Sequence, residues 1–186
     1  MNNFKKRVWV ILFLSTTMHC SLAQQAKSQA HDVFSRNYIS PTRIVWQSDT
    51  LGKYIVNAKK LLEKGNGQAD LVGANLCVIT GGDKVKSAVV LDFGKEIHGG
   101  IQLVTGMYAD KSPINVKITL GESVSEAMSE VGKSSATNDH SMREFVLSLP
   151  WLGAIEAGNS GFRFAKVELL DSSRELKLKE VRAIAV

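Results

Sequence analysis

The chain has 186 residues, of which 44% are hydrophobic and 22% charged, and its formal net charge is +5 at pH 7. Three of the basic residues, Lys5, Lys6 and Arg7, lie at the extreme N-terminus, and without residues 1–23 the Lys plus Arg count falls from 23 to 20 against 18 acidic residues. A nucleic-acid-binding protein needs a clustered basic face, so this near balance excludes nucleic acid as a partner. The remaining length suits one domain with a real core.

The first 23 residues have the organisation of a signal peptide. The three basic residues precede the apolar run "VWVILFL", and "SLA" (Ser21 to Ala23) supplies the small residues that a signal peptidase reads. The run is too short for a stable transmembrane helix, and His19 makes Cys20 a poor lipoprotein site. We expect a signal peptide over residues 1–23, export to the periplasm or the extracellular space, and no membrane contact after cleavage.

The remainder of the chain divides into a polar linker over residues 24–40 and a domain over residues 41–186 in which the apolar period is mostly two. About eight short strands separated by turns with Gly, Asn and Ser predict an all-β fold, an antiparallel β-sandwich of jelly-roll type. The strand candidates, in chain order, are "RIVW", "NLCVIT", "SAVVLDF", "GIQLVTG", "INVKITLG", "EFVLSLP", "GFRFAKVELLD" and "ELKLKEVRAIAV". The predicted core residues are Phe93, Val116, Ile118, Phe145, Leu147, Phe162 and Phe164.

Three local features refine this prediction. In the last strand the apolar phase slips between Leu178 and Val181, which predicts a β-bulge. The lone cysteine outside the signal peptide, Cys77, lies in an apolar run and is expected to be a buried hydrophobe. Residues 51–67 have near-helical apolar spacing and two terminating glycines, and they fit either a helix or an irregular extended stretch.

The stretch "LDFGKEIHGGIQLVTG" combines two apolar runs with a polar centre that contains Glu96 and His98. Glycines flank this centre and permit unusual backbone angles. We favour a hairpin with a solvated polar tip. The alternative is a polar surface that Glu96 and His98 present to a ligand or a neighbouring domain.

A second polar segment runs from Glu122 to the strand "EFVLSLP". Glu122, Glu126 and Glu130 recur every four residues, which on a helix would stack three like charges. The group Asn138, Asp139 and His140, followed by Arg143, concentrates planar polar side chains. Such side chains brace a loop through its backbone, or they contact sugar hydroxyl groups.

Other chemistries have little support in the sequence. The histidines outside the signal peptide are far apart along the chain and accompany one cysteine, so zinc spacing is absent and no metal site is predicted. No cofactor is expected, although Asp and Glu oxygens leave a structural calcium ion open. Trp46 and Trp151 could stack on a sugar ring, a role less common for tryptophan than packing at a core or an edge.

Several stretches together resemble the N-terminal β-sandwich region of bacterial α-L-rhamnosidases of glycoside hydrolase family 78. The resemblance covers Ser40 to Val186 and is carried by "SPTRIVWQSD", "KGNGQADL", "VLDFGKEIHGGIQLVTGM", "GESVSEAMSEVG", "ATNDHSMREF", "LPWLGAIEAGNSGFRFAKVELLD" and "LKEVRAIAV". In that family a catalytic α-helical barrel follows the sandwich and supplies the acid and base carboxylates. No position here corresponds to them, so the resemblance implies no catalytic residue in this chain.

The resemblance therefore implies a non-catalytic accessory domain that docks on such a barrel, in cis or in trans, or frames its substrate cleft. The candidate residues for the interface or for rhamnose-containing glycans are Glu96, His98, Glu122, Asn138, Asp139, His140, Arg143, Trp151, Asn159 and Arg163. The alternative is a free-standing, lectin-like carbohydrate-binding module, and a small enzyme is a third option. An exposed apolar patch would favour the first reading, and a concave groove lined by aromatic residues the second.

Overall fold

A computed structural model describes residues 35–82, 85–108, 110–133, 136–137 and 142–186. Within these ranges the chain forms nine strands, one 3-10 helix over Ala58–Leu62 and one short α-helix, α1, over Val124–Met128. The strands are β1 (Asn37–Ile39), β2 (Arg43–Gln47), β3 (Ile55–Val56), β4 (Cys77–Thr80), β5 (Ala88–Thr105), β6 (Ile114–Gly121), β7 (Met142–Leu149), β8 (Gly153–Leu169) and β9 (Glu175–Ala185).

The named strand pairs are all antiparallel, and the main path through the sheet is β3-β4-β9-β5-β8-β6-β7. In addition, β1 pairs with β9 and β2 pairs with β5. The antiparallel β-sandwich predicted from the period-two pattern is therefore confirmed, with nine strands rather than about eight. Two predicted runs merge into β5, and the sequence pattern does not predict two short strands, β1 and β3, because three and two residues are too few to show a period. β1 lies inside the range predicted as a linker.

Two long strands, β5 and β8, are shared by the two halves of the sandwich. Residues 88–92 of β5 pair with residues 164–168 of β8 and with β2, whereas residues 97–105 pair with residues 153–162 of β8 and with β9. The register shifts between Asp92 and Ile97, where the strand bends. This bend places one strand in contact with both halves of the core.

The hairpin predicted for residues 91–106 is wrong, because both apolar runs belong to β5. Gly94 has a φ of 79° and Gly99 a φ of 148°, so the glycines bend a continuous strand instead of closing a turn. Each run finds its partners on other strands. Glu96 and His98 consequently project from a bend in the middle of the sheet and are exposed.

The core consists of the inward faces of the long strands. Ile114, Val116, Ile118 and Leu120 of β6 are all fully buried, as their alternation predicts. Among the other predicted core residues, Phe93 and Phe162 pack edge to face with ring centroids 5.7 Å apart. Phe145 and Leu147 lie partly buried against the main core, and Phe164 belongs to a smaller cluster with Val90 and Ala127.

Two local predictions are also confirmed. Val104 pairs with Glu180 and Thr105 pairs with Leu178, so Lys179 is the extra residue of a bulge in β9. Cys77 is fully buried, and burial raises the pKa of its thiol to about 12. A thiol with this pKa is inert at neutral pH, as expected for a packing residue.

Residues 51–67 are neither one helix nor simply extended. The left-handed residue Asn57, with a φ of 55°, separates β3 from the 3-10 helix, whose Leu61 is buried in the core. The helical spacing thus reflects one short turn that docks a single leucine. No helix in the described part of the chain is both long and apolar enough to cross a membrane.

Candidate functional site

Two predicted site residues, Glu96 and Glu122, converge beside Gly161. A methyl group placed on Gly161 would lie 3.5 Å from Glu122 Oε1 and 3.7 Å from Glu96 Oε1. His98 is the register partner of Gly161 across β5 and β8, so its side chain leaves the same face of the sheet. We call Glu96, His98 and Glu122 around Gly161 the carboxylate face; all three side chains are exposed.

Arg163 borders this face but is committed to a structural ion cluster. Its Nε donates to Asp92 Oδ1 at 2.8 Å and its Nη2 donates to Asp92 Oδ2 at 3.1 Å, while Arg43 Nε donates to Asp92 Oδ2 at 2.8 Å. Asp92 is buried, and the Arg163 hydrogen bond lowers the pKa of its carboxyl to about 2. The cluster fixes the bend in β5, since Asp92 Oδ1 also accepts the Gly94 N–H.

Helix α1 explains why Glu122 and Glu126 have different roles. Ser123 Oγ accepts the Glu126 N–H at 3.2 Å, and Glu126 Oε2 accepts the Ser123 N–H at 3.4 Å and the Glu122 N–H at 2.8 Å. This is a capping box, so Glu126 is a structural residue. Only Glu126 of the three regularly spaced glutamates lies in the helix, and Glu130 pairs with Lys133.

The remaining predicted residues do not gather at the carboxylate face. Trp151 packs partly buried against the core, with Lys111 Nζ 5.3 Å from its ring centroid, and follows the end of β7 that pairs with Ile114. Asn159 lines a separate cavity with Arg36. Arg143 lies on β7 opposite Leu120 and has interaction partners of its own. Asn138, Asp139 and His140 lie outside the described residues.

A larger concave feature lies elsewhere, between β2 and the 3-10 helix. This cavity, here called the Trp46 groove, has a volume of about 760 Å³. Its walls are formed by Ile44, Val45, Trp46, Gln47, Thr50, Gly52, Ile55, Asn57, Ala58, Lys59, Lys60 and Glu63.

A bulge in β2 turns Trp46 towards the solvent. Ile44 pairs with Leu91 and Trp46 pairs with Val90, so Val45 is the extra residue. Ile44 packs on the main core and Val45 on the smaller cluster, whereas Trp46 keeps 38% of its surface exposed. A bulge of this kind commonly changes the direction of one side chain.

Asp49 holds the loop that forms one end of the groove. Its buried carboxylate accepts the backbone N–H groups of Leu51 at 3.0 Å, Tyr54 at 2.5 Å and Ile55 at 3.0 Å. The hydrogen bond from the Tyr54 N–H is the main cause that lowers the pKa of this carboxyl. Asp49 therefore stays ionised. Its carboxylate binds backbone N–H groups of its own loop and so closes the loop against β3.

The groove combines groups suited to a polar ligand with an apolar face. Trp46 supplies a ring, the Gln47 and Asn57 amides supply donors and acceptors, and Lys59 supplies a cation. The sequence identifies Trp46 as a ring able to stack on a sugar but predicts no site there. The site depends on contact between residues 44–47 and residues 57–63, and no local motif encodes that contact.

Metal binding has no support among the described residues, where no group of three or more His, Cys, Asp or Glu side chains lies close enough to hold an ion. His98 shares a face with Glu96 and Glu122, but these three side chains do not form such a group.

No protein-family model and no curated protein matches this sequence. Among solved structures, a rhamnosidase from Klebsiella oxytoca with rhamnose bound is similar, with a TM-score of 0.52 and 18% identity over 81% of this chain. The CBM32 of AlyQ in complex with 4,5-unsaturated mannuronic acid has a TM-score of 0.50 and 12% identity over 79% of this chain and 97% of its own length. A fucolectin from striped bass (Morone saxatilis) serum has a TM-score of 0.51 and 14% identity over 80% of this chain and 49% of its own.

These similarities concern the fold, because the identities are low. This chain spans 29% of the rhamnosidase and almost the whole of the CBM32. The same type of β-sandwich therefore forms one part of the rhamnosidase chain and nearly the whole of the solved CBM32 chain. The described chain is a sandwich of the type found in CBM32 and lectin modules.

Proposed function

We propose that this protein is a carbohydrate-binding module and that the Trp46 groove is its glycan site. The observation that carries the proposal is a half-exposed tryptophan in a concave groove, beside two amides, on a sandwich similar to lectin modules. A sugar ring has an apolar face that packs on an indole and hydroxyl groups that pair with planar amides. The three similar structures named above are a rhamnosidase with rhamnose bound, a CBM32 in complex with an unsaturated mannuronic acid, and a fucolectin, which supports a sugar as the ligand class.

The groove is preformed, which suits a weak but specific binding site. Its wall on β2 is fixed by the register with β5, and its opposite wall is fixed by Leu61 in the core. A preformed site loses little conformational entropy on binding. With one aromatic platform and few charges, we expect affinities for single oligosaccharides in the range of about 0.1–1 mM.

Titration calorimetry with rhamnose, fucose and rhamnose-containing oligosaccharides tests this proposal. Trp46→Ala should weaken any detected binding by about tenfold, the loss of one favourable aromatic contact of roughly 1.4 kcal/mol. Trp151→Phe is the matched control, because Trp151 packs on the core away from the groove. An affinity that is unchanged in Trp46→Ala would exclude the groove as the site.

The alternative location is the polar segment with Asn138, Asp139 and His140, which the sequence singles out for planar groups. The double variant Asn138→Ala/His140→Ala distinguishes the two locations in the same titration. If it abolishes binding while Trp46→Ala does not, the glycan site lies on that segment. We expect the reverse, since the groove already contains a ring and two amides in one concavity.

The second candidate function is an accessory domain of an α-L-rhamnosidase-like glycoside hydrolase, docked on a catalytic helical barrel. It is favoured by the sequence motifs from Ser40 to Val186 and by the similarity to 29% of the K. oxytoca rhamnosidase. An antibody against this domain tests it on a blot of native cell and medium fractions. A band far larger than a chain of 186 residues would support the accessory role, and a band of that size would support a separate module.

Export is part of the same proposal, because extracellular glycans are accessible only to an exported protein. The basic and apolar residues before Ala23 support it. N-terminal sequencing of the protein recovered from the periplasm or the medium should give a start near Gln24. A full-length chain that is found only in the cytoplasm would contradict export.

A further inference from the structure

We propose that the Trp46 groove binds acidic glycans, with Lys59 pairing with the carboxylate of a uronic acid residue. This inference rests on the proposed function and adds the chemical class of the ligand. Lys59 lines the groove and is exposed, and no described residue forms an ion pair with it. It therefore offers a cation in the same groove as Trp46 that is not paired with any described carboxylate.

The other charges of the groove leave this cation uncompensated. Glu63 is the one carboxylate among the residues of the groove wall, and its Oε1 lies 2.9 Å from Lys60 Nζ. Asp49, close to the groove, directs its carboxylate at backbone N–H groups of its own loop. Arg43, at the start of β2, pairs with Asp92. No carboxylate of the groove wall is thus left to pair with Lys59.

The segment that forms this wall is itself basic. From Leu51 to Gly65 the chain has four lysines and one glutamate. Lys53 lies over the Tyr54 ring at 5.0 Å, and Lys64 lines an adjacent cavity together with Glu180. A positive potential along one wall attracts an anionic polymer and repels cationic ones. A neutral glycan would gain no electrostatic attraction from this excess of positive charge.

A uronic acid residue fits the Trp46 groove better than a small inorganic anion does. Its ring can pack on Trp46 while its carboxylate pairs with Lys59. The Gln47 amide and the Asn57 Oδ1 remain for hydroxyl groups, whereas Asn57 Nδ2 donates to the Leu76 carbonyl at 3.4 Å. A small inorganic anion would use Lys59 alone. Exposed ion pairs contribute modestly, so we expect a preference for the acidic sugar of about three- to fivefold at low salt.

The test compares oligosaccharides of galacturonic, glucuronic and mannuronic acid with their neutral methyl esters, titrated into the purified protein in 20 mM buffer. We expect each acid to bind about three- to fivefold more tightly than its ester, and this difference to shrink in 0.5 M NaCl because salt screens an exposed pair. Lys59→Gln should abolish the preference, so that acid and ester bind to this variant with the same affinity. Lys64→Gln is the matched control and should keep the preference.

The outcomes separate this inference from the function on which it rests. Equal affinities for acid and ester, or a preference that survives Lys59→Gln, would overturn the role of Lys59 while binding of both sugars still supported a carbohydrate module. Absence of binding by all the acids and esters, at concentrations up to about 20 mM, would overturn the acidic-glycan inference, and absence of binding by the rhamnose and fucose ligands as well would overturn both. Loss of binding to acid and ester alike in Trp46→Ala, together with loss of the acid preference in Lys59→Gln, would support both.

Discussion

Asp92 and Arg163 join the two long strands at the bend of β5, where the guanidinium donates two hydrogen bonds to the carboxylate, at 2.8 and 3.1 Å. The carboxylate is buried and Arg163 is partly exposed, with its guanidinium 5.0 Å from the Phe164 ring centroid. A paired, bidentate carboxylate of this kind is stabilising only while it is ionised. The relationship therefore predicts both a mutational effect and a pH dependence.

Asp92→Asn should lower the free energy of unfolding at pH 7 by about 2 kcal/mol. The folded-state pKa of Asp92 is about 2 against an ordinary value of 3.8, so the stabilisation is fully present above pH 4 and is lost as the pH falls towards 2. Urea unfolding at pH 7 and pH 3 measures it. The difference in the free energy of unfolding between wild type and Asp92→Asn should be smaller at pH 3 than at pH 7.

The control for this experiment is Glu96→Gln, which removes an exposed carboxylate near the same bend. We expect a change of less than about 0.5 kcal/mol at either pH. An Asp92→Asn variant that differs from wild type equally at pH 7 and pH 3 would show that the ionised carboxylate is not the cause.

Ile118→Asp should unfold the domain or lower the free energy of unfolding by more than about 4 kcal/mol. Ile118 is fully buried on β6, so the substitution places an unpaired charge in the core. Circular dichroism melting curves provide the measurement. Val146→Asp on the neighbouring strand β7 is the control, because Val146 is 58% exposed. A melting temperature unchanged in Ile118→Asp would refute the inward placement of this residue.

Gly99 on β5 and Gly161 on β8 lie one register position apart. The space around Gly161 can accept a side chain, whereas the space around Gly99 cannot. A methyl group on Gly99 would lie 1.9 Å from the Ile184 carbonyl oxygen, and Gly99 has a φ of 148°. The same group on Gly161 would meet no heavy atom closer than 3.5 Å. Gly99→Ala should therefore cost at least about 2 kcal/mol of stability and Gly161→Ala less than about 1 kcal/mol. Similar melting temperatures for the two variants would contradict the bend as described.

The sequence predicts the sandwich well because burial on one face imposes a period of two, as in residues 114–120 and at the slip around Lys179. It fails at residues 91–106, since a glycine-rich polar stretch between two apolar runs is typical of both a hairpin and a bend in one long strand. Only the choice of partner strands distinguishes these, and that choice is not local. Likewise the Trp46 groove requires residues 44–47 to meet residues 57–63, so composition could mark the tryptophan but not its surroundings.

The last prediction is that the purified protein does not hydrolyse α-L-rhamnosides. Glycoside cleavage needs a protonated carboxylic acid at the leaving oxygen and a second carboxylate that attacks the sugar or activates water, both held around the substrate. The carboxylate face does bring Glu96 Oε1 and Glu122 Oε1 to 3.7 and 3.5 Å from one point on Gly161. Both side chains are exposed, however, and an exposed pair does not enclose a sugar between two fixed carboxylates.

A sensitive chromogenic rhamnoside assay at pH 4 to 8 provides the measurement, with rates compared to buffer alone. We expect no turnover above that background from the wild type, and the same from Glu96→Gln and Glu122→Gln. Binding assays on the same preparations confirm that each variant is folded and retains the groove, since neither residue lines it. Turnover by the wild type that disappears in either variant would establish the carboxylate face as a catalytic pair and make the protein an enzyme.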